Sequence, residues 1–193
     1  GRDTWGSAAT STTATELRIW THDNFGEDLL FNVRNGNIFY WDTSTDTLGT
    51  NRGTPLTLVS GADAATPTVA TQVMVSDRDR HVIVFGCDSE TAIGTQDPLL
   101  IRFSNQESIT EWAAEATNTA GDLRVGSGSE IVCAAETRQQ ILVWTDVSLH
   151  AMQYLGPPFT FGIEQLSENT TIAGPLAVKA VDDTVFWMGV EEF

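Results

Sequence analysis

Three histidines, two cysteines and a surplus of carboxylates are the residues of this chain that could do chemistry. His22, His81 and His150 are dispersed, and none has a second ligand at helical or hairpin spacing, so a metal site would have to be assembled from distant segments. Cys87 and Cys133 have no paired spacing and no neighbouring His or Cys cluster, whereas structural zinc takes four such ligands. They read as buried, reduced thiols acting as small apolar residues.

Carboxylates are plentiful, and the sequence leaves open which of them come together. A glycosidase needs two at a defined separation, one with a raised pKa. Asp42, Asp46, Asp88 and Asp146 each follow an apolar strand-like run, which places them at one end of the expected fold, and turn chemistry accounts for them without catalysis. The stretch Asp42-Thr43-Ser44-Thr45-Asp46 lacks the central glycine and distal glutamate of an acidic calcium loop. No phosphate-cradling glycine loop and no Gly-x-Ser-x-Gly elbow is present; Gly126-Ser127-Gly128-Ser129 reads as a flexible connection. The tract from Ser104 to Trp112 resembles a sialidase-type box only faintly, lacking its Asp and Gly, and reads as a corner whose Trp112 packs inward. The reading is therefore of a protein that is not an enzyme and takes no cofactor or metal.

Hydrophobic residues make up 41% of the 193 and charged residues 19%, the balance of a folded globular chain. No stretch reaches the roughly 18 uninterrupted apolar residues of a membrane span, and residues 1–15 lack the basic-then-apolar order of a signal peptide. With a formal charge of -16 and Lys179 as the sole lysine, a phosphate-gripping surface is not expected.

The elements that must position these residues are written as one hairpin, four times over. Asp28 to Val33, an Asn35-Gly36 turn, and Ile38 to Trp41 make the clearest copy. The others run from Gln72 to Phe85, Ile131 to Trp144, and Leu176 to Met188, so the hairpins lie near 28–41, 72–85, 131–144 and 176–188. Each second strand is nearly continuously apolar, as expected of a strand covered on both faces. The aromatics Trp41, Phe85, Trp144 and Trp187 are spaced by about 44, 59 and 43 residues, close to the period of propeller blades. Leu99 to Phe103 and Ser148 to Tyr154 supply further strands after two of the hairpins. Helical spacing is confined to one short turn at Ser108 to Ala116.

The sequence thus predicts an all-β protein, a single domain over residues 1–193, built as a β-propeller of four-stranded antiparallel blades. A β-sandwich is the alternative. About four blade-like units account for the chain, and propellers commonly close with more, so an incomplete propeller is expected, whose raw edges belong to a longer polypeptide or are covered by other subunits.

Several segments together resemble the tail nozzle proteins of short-tailed bacteriophages, also called packaged-DNA stabilisation proteins. They are Trp20 through Trp41, Leu100 to Ser104 with Trp112, Thr117 to Gly121, and Ile141 to Asp146 continuing to Tyr154 through Phe159. The resemblance implies a virion location in the tail and a six-fold, hexameric ring that retains double-stranded DNA and then passes it without sequence-specific binding. It also implies an adaptor and fibres as neighbouring tail proteins, and no catalytic residues. A host-surface glycan-binding or glycan-cleaving propeller, with Trp5, Trp20 or Tyr154 stacking on sugars, is the alternative function.

Overall fold

Strands follow one another without an intervening α-helix throughout the described residues, 18–45 and 51–190, of the computed structural model. The segment 1–15, Trp5 and Asp46 lie outside them. The elements are β1 (Trp20–Phe25), β2 (Asp28–Val33), β3 (Ile38–Trp41), β4 (Thr54–Pro55), a 3-10 turn (Leu56–Leu58), β5 (Ala70–Val75), β6 (Val82–Cys87), β7 (Leu100–Phe103) and β8 (Gly121–Arg124). They continue with β9 (Ile131–Glu136), β10 (Ile141–Thr145), β11 (Leu149–Gly156), β12 (Thr160–Ser167), β13 (Val178–Val181) and β14 (Thr184–Trp187). Consecutive strands pair antiparallel in three four-stranded sheets, β1–β4, β5–β8 and β9–β12, followed by the two-stranded hairpin β13–β14. The all-β class and the four-stranded antiparallel sheets match the expectation. No helix forms at 108–116; instead Trp112 turns inward, as expected, and is buried.

All four hairpins are present, but the first is not equivalent to the rest. Residues 28–41 form the second and third strands of their sheet, with β1 ahead of them, whereas 72–85 and 131–144 form the first and second. The Asn-Gly turn misled the alignment of units because turn chemistry marks any tight connection, not its rank in a sheet. Within that turn Asn35 takes the left-handed conformation (φ 54°), and Gly36 bridges to Ala70 of the next sheet.

The sheets stack in chain order through three apolar layers. Alternation along each strand divides its side chains between two of them. Val82 and Val84 of β6 face the first sheet with Leu30, Ile38 and Trp112, while Ile83 and Phe85 face the third with Ile141, Val143 and Met152. Leu142 and Trp144 of β10 face the terminal hairpin, meeting Ile172, Val185 and Trp187. β6, β7 and β10 are consequently buried along their whole length, the physical reason their sequences are apolar without alternation. Trp187 faces back toward Trp144 (ring centroids 5.9 Å apart), so it does not occupy the position that Phe85 and Trp144 hold in their sheets.

First strands need partners for the edge that their own sheet does not pair. The preceding sheet supplies them from side chains. Asn32 donates to the Ala70 carbonyl at 2.9 Å and accepts from the Val73 amide, and Asp23 accepts from the Val75 amide at 2.8 Å, all on β5. On β9 the Gln72 amide donates to the Ala134 carbonyl at 2.9 Å and accepts from its N–H at 2.8 Å, and Arg34, from the β2–β3 turn of the first sheet, donates to the Val132 carbonyl at 2.7 Å. The leading strands β5 and β9 are thereby stitched to the sheets before them.

Candidate functional site

The singled-out aspartates do not share one end. Asp88 follows β6 and Asp146 follows β10, at the end where Gly36 meets Ala70. Asp42 follows β3, the third strand of its sheet, and so lies at the opposite end, where Gly26 meets the Arg80 side chain. Its carboxylate accepts from the Ser44 amide (2.8 Å) and hydroxyl (2.6 Å), which hold its pKa below the usual range.

Asp88 and Asp146 are matching clasps. Asp88 accepts from the amide and hydroxyl of Thr68, two residues before β5; Asp146 accepts from the amide (2.8 Å) and hydroxyl (2.7 Å) of Ser129, two residues before β9. Gly128 lies beside the second clasp with φ +102°, and a Cβ there would meet Thr145 and Asp146 at 2.7 Å. Close approach, rather than the loose connection expected from composition, therefore requires this glycine.

His22 is exposed, while His81 and His150 are buried. His81 lies 3.1 Å from the Thr119 hydroxyl and edge-on to Phe161, and burial lowers its pKa. His150 meets Ser148 at 2.9 Å, and Ser148 meets Thr145 at 2.7 Å. This resembles a nucleophile with its base, but Ser148 has no exposed surface to offer a substrate. The trio instead satisfies the turn between β10 and β11, with Thr145 N–H donating to the Ser148 carbonyl.

Cys87 and Cys133 are unbonded and buried as expected; burial pushes the Cys133 thiol up to about 12 and Cys87 higher still. Native protein is expected to leave both thiols unmodified by a chromogenic disulfide reagent and to expose both on unfolding in guanidinium. Rapid labelling of the native state would contradict this.

What the sequence did not reveal is an acidic cleft where the strand turns gather. The 77–80, 136–140 and 182–183 turns lie side by side around an open space of about 450 Å³ lined by Asp77, Arg78, Glu136, Thr137, Arg138 and Asp182. Arg138 is paired with Asp182 at 2.6 Å. Glu136 accepts from the Asp77 amide at 3.2 Å, yet its pKa is pushed up to about 7, chiefly by burial and further by Asp77, Asp23 and Asp79. Asp23 is also raised, again mainly by burial. Among the described residues, no group of three or more His, Cys, Asp or Glu is arranged to hold a metal ion.

Glu136 makes stability depend on pH. The folded chain holds its proton from the ordinary value of 4.5 up to about 7, so the unfolded chain is the more ionised in that window and stability falls as pH rises through it. Glu136→Gln is expected to flatten this slope and to stabilise the protein at pH 8 by about 1–3 kcal/mol, measured by urea unfolding across pH. An unchanged slope would contradict the assignment.

No protein-family model and no curated protein matches this sequence.

Proposed function

We propose that this chain is a structural part of a bacteriophage tail nozzle, a propeller-type subunit that assembles in a ring, retains double-stranded DNA and then lets it pass. Its sheets support the propeller: each is a meander of consecutive strands, and the leading strands are neighbours in turn, β5 against β1 and β2, β9 against β5 and β6, β13 against β9. The residues resembling the nozzle family also converge on structural positions. Arg102 and Trp112 meet in one buried hub, and Thr119 holds His81.

The observation that carries the conduit reading is the acidic turn end. A passage for DNA must not grip phosphates, since each Lys or Arg contact adds to the cost of release. Here Asp77, Asp79, Glu136, Asp182 and Asp183 are gathered at one end of the sheets with Arg78, Arg80 and Arg138, of which Arg138 is engaged by Asp182 and Arg80 faces Glu107, so that acids outnumber bases. Among the described residues, no helix is long and apolar enough to cross a membrane. The test is imaging of native particles with a tagged chain. A ring at the distal end of the tail, and loss of packaged DNA from particles lacking the protein, are expected; absence from purified tails would refute the reading.

One observation favours the alternative of a glycan-cleaving surface: Glu136 is a carboxyl with a raised pKa in an open cleft beside Asp77. A glycan array and a reducing-sugar assay decide it, with signal that disappears in Glu136→Gln.

A further inference from the structure

We propose that His81, with the two turns that close over it, is a proton-operated latch: a second proton on the ring drives it out of the layer between the second and third sheets and parts the two turns. The inference goes beyond the nozzle reading and holds or fails separately from it.

Hydrogen-bond accounting fixes which ring nitrogen carries the proton in the closed form. Asn105 is oriented by two partners: its Oδ1 accepts from the Thr119 amide at 3.0 Å, and its Nδ2 donates to the Glu111 carboxylate. The Thr119 hydroxyl has a single hydrogen. It gives that hydrogen to the same Oδ1 at 2.9 Å, while accepting from the Gln106 amide at 2.9 Å. His81 Nε2, 3.1 Å from this hydroxyl, can then only donate to it. Nε2 therefore holds the proton, and Nδ1 is a buried lone pair to which no described residue hydrogen-bonds.

The place is a poor one for a charge. His81 is 0% exposed, and Phe103 of β7, Phe161 of β12 and Tyr154 of β11 surround its ring at centroid distances of 6.4, 5.2 and 5.9 Å. From its own turn, Asp79 favours a proton through its charge and main chain, but burial outweighs it and lowers the pKa. Arg80, in that turn, and Glu107, in the facing one, are paired with each other at 3.9 Å, and Glu111 is taken by Asn105. The remaining titratable group against the ring is the Tyr154 phenol. A second proton therefore puts an ion in an apolar layer, a cost that solvent removes once the ring is out.

The closed turns also hold strain that opening releases. Residues 77–80 form one turn and 105–108 the other, and the Glu107 amide donates to the Arg80 carbonyl at 2.9 Å. Both residues lie in the left-handed region (Arg80 φ 52°, Glu107 φ 55°), which residues with a Cβ rarely adopt. A strained contact between two turns, seated on a ring that can take a charge, is a two-state element that a proton biases. Because the 77–80 turn also lines the acidic cleft, parting the turns moves Asp77 and Arg78 there.

The experiment is hydrogen exchange read by mass spectrometry from pH 8 to pH 5, with rates corrected for the intrinsic effect of pH. It follows the peptides spanning 76–82 and 104–120, with β10 as the reference. Opening takes up one proton between the ordinary histidine value of 6.5 and the lower value of the closed form, so the open fraction is expected to rise by up to about tenfold per pH unit below 6.5. β10 is expected to stay protected. His81→Phe fills the same space and takes no proton, so it is expected to lose this dependence while Glu136, Asp23 and His150 still titrate. Independently of any variant, nitrogen NMR of the wild-type ring at pH 8 is expected to show Nε2 protonated and Nδ1 bare. A proton on Nδ1 instead, a ring that gains its second proton with both turns still protected, or an equal pH dependence in His81→Phe would overturn the proposal.

Discussion

Arg102→Met is expected to destabilise the protein by about 3–5 kcal/mol. Arg102 is buried on β7, and among the described residues it has no ion pair. Its charge is instead solvated by main-chain carbonyls: it donates to Ala65 at 2.6 Å and to Trp112 and Asp88 at 3.3 Å, with its guanidinium 5.9 Å from the Trp112 ring. Methionine matches the length of the stem but leaves three carbonyls without that donor in a site that water does not reach. Because these carbonyls belong to the connections before β5, after β6 and before β8, the loss loosens several connections at once. Urea unfolding with a midpoint shift and an unchanged slope would confirm it; a loss below 1 kcal/mol would show that the carbonyls find other donors.

Trp112→Ala should cost a similar amount, about 3–5 kcal/mol, for a different reason: a large cavity in the layer between the first and second sheets. Trp112 is 1% exposed and packs with Leu56, Val84 and Leu100. Its backbone is fixed by Asp63, which accepts from the amides of Trp112 (2.6 Å) and Ala113 (2.9 Å), and its indole N–H donates to the Ile109 carbonyl at 2.9 Å. Since Arg102 and Trp112 touch, their effects should not add. The double variant is expected to lose less than the sum of the two, by about 0.5–3 kcal/mol. Strict additivity would show that the two residues act separately.

Strands with a reason to be apolar were legible from sequence; strands held by polar side chains were less so. β6 and β10 announce themselves because they are covered on both sides. β1 does not, because its buried face carries Thr21 and Asp23, whose hydroxyl and carboxylate serve the backbone of β5. Missing β1 shifted the first hairpin by one strand and carried Asp42 to the wrong end. The clasps could have been found: a Thr or Ser two residues before a first strand, with an Asp directly after the second, recurs as Thr68 with Asp88 and Ser129 with Asp146. The acidic cleft had no such signal, since Asp77, Glu136 and Asp182 come from three separate turns that only stacking brings together.

Each clasp also bears on how the chain acquires its shape. Asp88 and Asp146 tie the end of a second strand to the approach of its own first strand, and every sheet takes its strands from one continuous stretch. Among the described residues no strand waits for a distant partner, so loop closure there stays short and pairing is local in sequence. A sheet made this way can form while the ribosome is still producing the next one, and the sheet already formed presents Asn32 or Gln72 as a template for the leading strand that follows. Folding can then proceed from the amino end during synthesis, one sheet at a time.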